Sequence, residues 1–280
     1  MVATAVTGVE EWRSGTYRRT LRLTHGHGVA ELRPTGELFI DFRLILSDLR
    51  ELTTAINRCR RLLDPALEPL VRKTPGRRVP HTVDGAEFAI RAVLAGEGWG
   101  RVSAAAARTR AARLVAAHGT PVTDPGRGLT HLFPAPAELA GLAPATVVRP
   151  QQRRDALTAL VAALAAGSVD LGTGSDWQQA RAQLAAIPGV GAGTVEAIAM
   201  RALGDPDAFT ATDPGVVLAA TGLGLPATPA ALGLRSAAWR PWRAYAVQHL
   251  RAAGDHAIDR LPATDVTTAV GPTTPTVSVS

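Results

Sequence analysis

With 280 residues, 46% of them apolar, the chain can bury the core of one large globular domain or two modest ones. Its single cysteine, Cys59, excludes an internal disulfide, a four-cysteine zinc site and a four-cysteine iron–sulfur cluster; no secretory pattern opens the chain, and its longest apolar run, 159–167, is far short of the roughly 20 residues of a membrane span. The net charge of +6 is carried almost wholly by arginine, Lys73 being the only lysine, which suits a phosphate-bearing partner and equally suits a GC-biased, Ala/Arg-rich coding sequence. A cytoplasmic monomer with no membrane partner is expected.

The first third reads as a small α+β module. Residues 17–23 alternate in part, with Leu21 and Leu23 on one face, and predict a strand. His25-Gly26-His27-Gly28 reads as a turn. Val29 to Arg33 reads as a second strand closed by Pro34, and Leu38 to Leu46 as a third, after the Thr35-Gly36 turn. Ser47 then opens a helix with apolar residues at 49, 52, 56, 62 and 63. A Pro/Gly/Arg linker at 74–80 places the boundary of this N-terminal domain, 1–75, against a second domain, 76–262. From about Thr82 the pattern is helical. Phe88, Val93 and Leu94 begin one helix; Val102 to Ala117, Glu138 to Leu142, Arg153 to Ala166 and Trp177 to Ala186 follow. A helical hairpin spans 184–203, and Ala237 to Ala253 closes the set. The Thr/Pro/Val-rich tail, 263–280, reads as disordered. The fold class is α+β, mainly α.

The stretch from Ile187 to Val216 carries the chemistry. Leu184 and Ile187 give one helix an apolar face that Pro188 cannot continue. Gly189 and Gly191 permit backbone angles closed to other residues and a close backbone approach. A second helix starts near Ala192, with Thr194, Ile198 and Leu203 at helical spacing, and stops at Gly204. Its first turn offers free N–H groups, which suit a phosphate oxygen and fix position without reading sequence. A plain αα-hairpin with glycine in its turn reads the same way. Asp213-Pro214 has the form of a helix N-cap followed by proline at the first helical position. The same carboxylate, held beside an N-glycosidic bond, would stabilise the positive charge that builds on the sugar and accept a proton from attacking water. One acid suffices where the leaving base is already cationic, as alkylated purines are.

Pro188-Gly189-Val190-Gly191, followed 22 residues after Gly191 by Asp213, resembles the helix–hairpin–helix/Gly-Pro-Asp signature of DNA base-excision glycosylases. Five further stretches are similar to the 3-methyladenine DNA glycosylase II family and stand in that family's order. They are Gly15 to Thr20, Arg58 to Asp64, Arg91 to Leu94 with Val102 to Ala106, Arg201 to Phe209, and Trp239 to Ala246. The resemblance spans roughly Val9 to Leu261. It implies a small N-terminal antiparallel sheet domain, an all-helical helix–hairpin–helix glycosylase domain and a cleft between them. It implies double-stranded DNA containing alkylated bases as partner and Asp213 as the catalytic acid. Backbone contacts to DNA are implied for Gly189, Val190, Gly191, Gly193 and Thr194. No cofactor or catalytic metal is implied, beyond a monovalent cation at the hairpin carbonyls. Trp99, Trp239 and Trp242 are candidates for a wedge or base contact.

Relatives that also cleave the strand use a lysine at the position of Gly193. With only Lys73 in the chain, Schiff-base chemistry from the hairpin is excluded and water is the nucleophile. No methyl-accepting cysteine domain of the kind sometimes fused to the family is expected. The family's usual tryptophan and tyrosine are replaced by Gly193 and Ala197, and Arg251 stands where a pocket tryptophan can occur. These exchanges remove aromatic stacking on a flipped base. Gly96 to Arg101, with Trp99, replaces a shorter loop that usually carries paired glutamines. Two functions follow. One is a monofunctional glycosylase that flips an alkylated base and hydrolyses its N-glycosidic bond in base-excision repair. The other is a DNA-binding relative whose eroded pocket supports weak catalysis or none. His25 and His27 read as solvated, without a carboxylate nearby; His131 and His249 read as packed or exposed. Trp239 and Trp242, three apart on one helix face, read as core. Arg149, Arg153 and Arg154 suit phosphate contact or a solvated face.

Overall fold

The computed structural model describes residues 5–35, 39–63, 79–96, 101–141, 151–226, 228–253 and 277–279. Four strands, β1 (Glu10–Arg13), β2 (Thr16–Leu23), β3 (Gly26–Thr35) and β4 (Phe39–Leu46), form an antiparallel meander. The period-2 rule puts Tyr17, Leu21, Leu23, Ala30, Leu32, Leu44 and Leu46 on one face. That face is covered by Ala55 and Cys59 of α1 (Leu52–Arg61), with Leu62 and Val83. Burial pushes the Cys59 thiol up to about 12, so it is packing and not a nucleophile.

Several expectations shift here. Glu-Glu-Trp-Arg shows no apolar alternation, yet β1 forms, because β2 supplies a full ladder opposite it. The β2–β3 turn is shorter than expected: Gly26 and His27 already pair with Leu23 and Arg22. Pro34 does not close β3 but sits near its end opposite Ile40, where a missing N–H costs little. Ser47 does not cap the helix. Its hydroxyl bonds the His27 backbone at 2.9 Å, and Asp48 instead caps a 3-10 turn, Leu49–Glu51, that leads into α1. His25 is not simply solvated, for its Nδ1 lies 2.6 Å from Glu51 Oε1. Val277–Val279, in the stretch expected to be disordered, pair with β4 in parallel as a fifth strand, β7.

The helical part comprises α2 (Gly85–Ala95), α3 (Arg101–His118), α4 (Pro136–Leu139), α5 (Gln151–Ala165), α6 (Trp177–Ala185), α7 (Ala192–Ile198), α8 (Pro214–Gly222), α9 (Pro229–Arg235) and α10 (Arg243–Ala253). A two-residue ladder, β5 (Thr120–Pro121) with β6 (His131–Leu132), joins α3 to α4. α4 starts earlier than expected because Pro136 takes the first helical position. α10 starts later, because Arg240–Pro241 separates it from a 3-10 turn at Ser236–Trp239. Trp239 and Trp242 therefore do not share one helix face. α2 is the hub, buried from Glu87 to Ala95 except at Arg91, and it packs against α3, α5 and α7. Val6 and Val9 join this helical core, while Val83 joins the core under the sheet. The expected domain boundary, 75/76, lies outside the described residues.

A buried charge cluster fastens the sheet to α2. Arg19 on β2 donates to Glu10 at 3.1 Å and to Glu87 on α2 at 2.7 Å. Arg91, one turn along α2, lies 3.2 Å from Glu10 and 2.9 Å from Glu87. Tyr17 Oη donates to Glu10 at 2.8 Å. Two acids and two guanidiniums thus compensate one another out of water, a condition for burying any of them. Burial alone would raise the Glu10 carboxyl; the charges of Arg91 and Arg19 and the Tyr17 bond overcome it and hold the group at about 2. Since that lies below the unfolded value, the stabilisation is complete above about pH 4.5 and is lost as pH falls toward 2. Glu10→Gln should cost about 3 kcal/mol at neutral pH and flatten the stability profile between pH 4.5 and 2, as read from urea midpoints at several pH values.

Candidate functional site

The hairpin builds itself from local rules. Asp176 caps α6 by accepting from the N–H groups of Gln178 and Gln179. Past α6 the chain turns through Ile187-Pro188-Gly189-Val190, with the Val190 N–H donating to the Ile187 carbonyl at 3.1 Å. Gly189 has φ +83°, and a side chain there would stand 2.9 Å from Ala156 Cβ on α5. Gly191 is the N-cap of α7; its carbonyl accepts from Thr194 and Val195. Among the described residues, the N–H groups of Gly189, Gly191, Ala192 and Gly193 have no acceptor. Two residues of the expected DNA-binding set differ in this respect. The N–H groups of Val190 and Thr194 are spent inside the hairpin and their side chains are buried, so these two residues shape the turn rather than offer donors.

The hairpin's second helix runs on from α7 through a π-helical turn, Ala199–Leu203, to Gly204 at φ +78°. A chain of ion pairs then fixes the loop that leads to Asp213. Arg181 on α6 bonds Glu196 on α7 and Asp205 in the loop, the latter at 2.7 Å. Glu196 also accepts from the Phe209 N–H at 2.8 Å. Asp205 accepts from the Asp207 N–H at 2.7 Å, and both Asp207 oxygens accept from Arg243 at 2.7 and 2.8 Å. Arg243 opens α10, whose Ala244 N–H also donates to the Pro206 carbonyl. The loop therefore ties α6, α7 and α10 together.

Asp213 closes the loop as the N-cap of α8. Its Oδ1 accepts from Gly215 N–H at 2.8 Å and Val216 N–H at 3.4 Å, and Pro214 takes the first helical position. Its Oδ2 accepts from Arg251 Nη2, in the last turn of α10. The Asp213 and Arg251 side chains are 4% and 12% exposed, so the pair is nearly closed off from solvent. The expected cap at Asp213 is present. Its pairing with Arg251 was not foreseen, because nothing local links two positions 38 residues apart. Arg251 fills the place where a ring was missed. Gly193 also faces an occupied space, since a side chain there would meet Thr212 Oγ1 at 2.2 Å. Ala197 is buried.

The tryptophans divide. Trp239 stands edge-on to Phe209, centroids 5.8 Å apart, with the Arg235 guanidinium 5.9 Å from its ring. Trp242 stands edge-on to Tyr245 at 6.0 Å, and both rings pack on the helical core. Their surroundings favour packing over base contact. Trp99 lies outside the described residues. For a monovalent cation, the carbonyls of Pro188, Gly189 and Val190 accept no hydrogen bond among the described residues, and carbonyl oxygen is the donor such an ion takes. Among the described residues no three His, Cys, Asp or Glu side chains group as a metal site, and no helix is long and apolar enough to cross a membrane.

Comparison with known proteins places this geometry. Residues 1–84 match the AlkA N-terminal domain. The chain is 50% identical over 277 residues to a Mycobacterium tuberculosis protein named "Probable bifunctional transcriptional activator/DNA repair enzyme AlkA", covering 94% of this chain and 55% of that one. It is 31% identical over 192 residues to Escherichia coli "DNA-3-methyladenine glycosylase 2", covering 68% of this chain and 64% of that one. It thus spans between about half and two thirds of the length of these relatives. The 3-methyladenine DNA glycosylase structure from Archaeoglobus fulgidus superposes with a TM-score of 0.72 at 18% identity, over 91% of this chain and 92% of that one. The helix–hairpin–helix glycosylase fold is shared.

The two duties of Asp213 separate by mutation. Asp213→Asn keeps a side chain that caps a helix as well as aspartate does; Asp213→Ala loses the cap as well as the charge. The alanine variant should be about 1 kcal/mol less stable than the asparagine variant by denaturant titration, because both leave Arg251 equally without its counter-charge.

Proposed function

We propose that this chain, a helix–hairpin–helix glycosylase-fold protein whose residues 1–84 belong to the AlkA N-terminal domain family, is a monofunctional DNA glycosylase for alkylated bases of the 3-methyladenine kind. It acts in base-excision repair, as a cytoplasmic monomer, on double-stranded DNA. The names of its relatives, a DNA repair enzyme and a DNA-3-methyladenine glycosylase, support the reading. The observation that carries it is Asp213. A buried carboxylate follows the hairpin, pinned through one oxygen to the first turn of α8, with the other oxygen directed at a single side chain that a substrate can displace or share.

In this mechanism the backbone N–H groups of Gly189, Gly191 and Gly193 hold a phosphate and set the position of the duplex. A cation at the hairpin carbonyls would add positive charge near that phosphate; no cofactor enters the chemistry. The damaged nucleotide is flipped out of the stack at a cost of a few kcal/mol, which is lowest for a base whose pairing is already impaired. As the glycosidic bond lengthens, positive charge grows on the sugar, and the fixed Asp213 carboxylate stabilises it. Asp213 also accepts a proton from the attacking water. No hairpin lysine is present to form a Schiff base, so the product is an abasic site in an unbroken strand.

Methylated duplex DNA incubated with the protein should release free 3-methyladenine and 7-methylguanine, measured by chromatography. Asp213→Asn should lower the rate by at least about a hundredfold while leaving duplex binding intact. Salt-sensitive DNA binding without base release by the wild type would instead support a relative that has lost catalysis. Strand scission without added base or heat would contradict hydrolysis by water alone.

A further inference from the structure

We propose that Arg110 on α3 and Arg153 on α5 together grip one DNA phosphate, a second backbone contact beside the hairpin. The proposal rests on the reading of this chain as a DNA glycosylase and names a further contact for the same substrate. Arg110 Nη1 donates to the Leu94 carbonyl, in the last turn of α2, at 2.9 Å. Arg153 reaches the same helix end from α5. Gly96 is the C-cap of α2 at φ +76°, and a side chain there would stand 2.6 Å from Arg153 Nη2. The end of α2 thus brings two guanidiniums to one place, both half-buried. The bond to Leu94 occupies one of the five N–H donors of Arg110, and among the described residues no carboxylate pairs with it.

The carbonyls at the end of α2 favour a positive charge nearby, which accounts for one cation there. Two like charges repel, and partial burial strengthens the repulsion. Burial and the charge of Arg153 both pull the Arg110 guanidinium below its ordinary value. An anion between the two would turn that repulsion into attraction, and the fold supplies Arg110 with none. The neighbours of Arg153 point to which anion comes. Gln152 and Ala156, on either side of it in α5, lie against the hairpin turn. A side chain on Gly189 would stand 2.9 Å from Ala156 Cβ and 3.4 Å from the Gln152 carbonyl oxygen. α5 therefore carries Arg153 alongside the turn whose Gly189 and Gly191 N–H groups have no acceptor among the described residues. A strand gripped at the hairpin carries a phosphate on every nucleotide, and an adjacent one can reach the arginine pair. The planar guanidinium fork matches phosphate oxygens. A single point of attachment leaves a strand free to pivot; a second fixes its direction without reading its sequence.

The test is the salt dependence of binding to a fluorescently labelled undamaged duplex and to the same duplex with a tetrahydrofuran site, from about 50 to 200 mM salt. It uses the wild type, Arg110→Gln, Arg153→Gln, the double variant and Arg110→Lys, each checked for folding by thermal melt. Losing one phosphate contact removes about 0.9 from the slope of log affinity against log salt, which is about eightfold in affinity at 0.1 M salt. The double variant should show that full loss, equally on both duplexes, and each single Gln variant a part of it. Arg110→Lys should keep the wild-type slope, because the charge survives. A lower melting temperature with an unchanged slope in Arg110→Gln would mean that Arg110 only caps α2, and would overturn the proposal. A slope loss of about 1.8 in the double variant would mean two separate phosphates and would overturn the shared grip. Failure of the wild type to bind either duplex would overturn the glycosylase reading itself, and this proposal with it.

Discussion

The structure turns on a carboxylate asked to do two things at once. Asp213 gives one oxygen to the opening N–H groups of α8 and the other to Arg251. The first bond is local and follows from the Asp-Pro pair alone. It fixes the side chain in one rotamer and one place, as the proposed role of meeting charge on a sugar would require. The second bond is long-range and makes burial tolerable, since an unpaired carboxylate at this depth would carry a large desolvation cost. Much of the helical part is arranged to keep these two bonds in register. Arg181, Glu196, Asp205, Asp207 and Arg243 form a relay that locks the loop between the hairpin and Asp213 to both flanking helices.

The sheet contributes at one remove. Arg19 and Glu10 meet Glu87 and Arg91 in a closed cluster of four charges, and this presses the sheet against α2. α2 in turn packs on α7, so the hairpin rests on an element that the N-terminal strands hold in place. A second cluster, Arg18 with Glu31 and Asp124, ties β2 to the loop between the β5 and β6 strands. Arginine is the cation throughout these contacts. Its planar fork carries five N–H donors in a fixed geometry and can satisfy several acids at once. The arginine bias of the chain, legible as a phosphate-binding bias, is thus also used in the interior.

What was legible in the sequence was whatever acts through the backbone of a few neighbouring residues. Pro188, Gly189 and Gly191 announce the hairpin turn, Gly204 ends its second helix, and Asp213-Pro214 opens α8; the structure has each of them. What was not legible depended on distance. Arg251 lies 38 residues from the acid it faces, and no periodicity or cap joins them. The hairpin residues were credited with one role each, although Val190 and Thr194 spend their N–H groups closing the turn. Trp239 and Trp242 have helical spacing, yet Pro241 breaks the helix between them. Ser47 and Asp48 are both good caps by type, and only the β3 backbone beside Ser47 decides which one caps.

The central claim is that Asp213 stabilises positive charge on the sugar. It is tested most directly by binding, without any turnover. Duplex DNA carrying a cationic pyrrolidine in place of the damaged nucleoside mimics that charge, and tetrahydrofuran gives the same shape without it. The wild type should bind the pyrrolidine duplex at least about a hundredfold more tightly than the tetrahydrofuran duplex, and Asp213→Asn should bind the two alike. Equal affinity of the wild type for both duplexes would contradict the account.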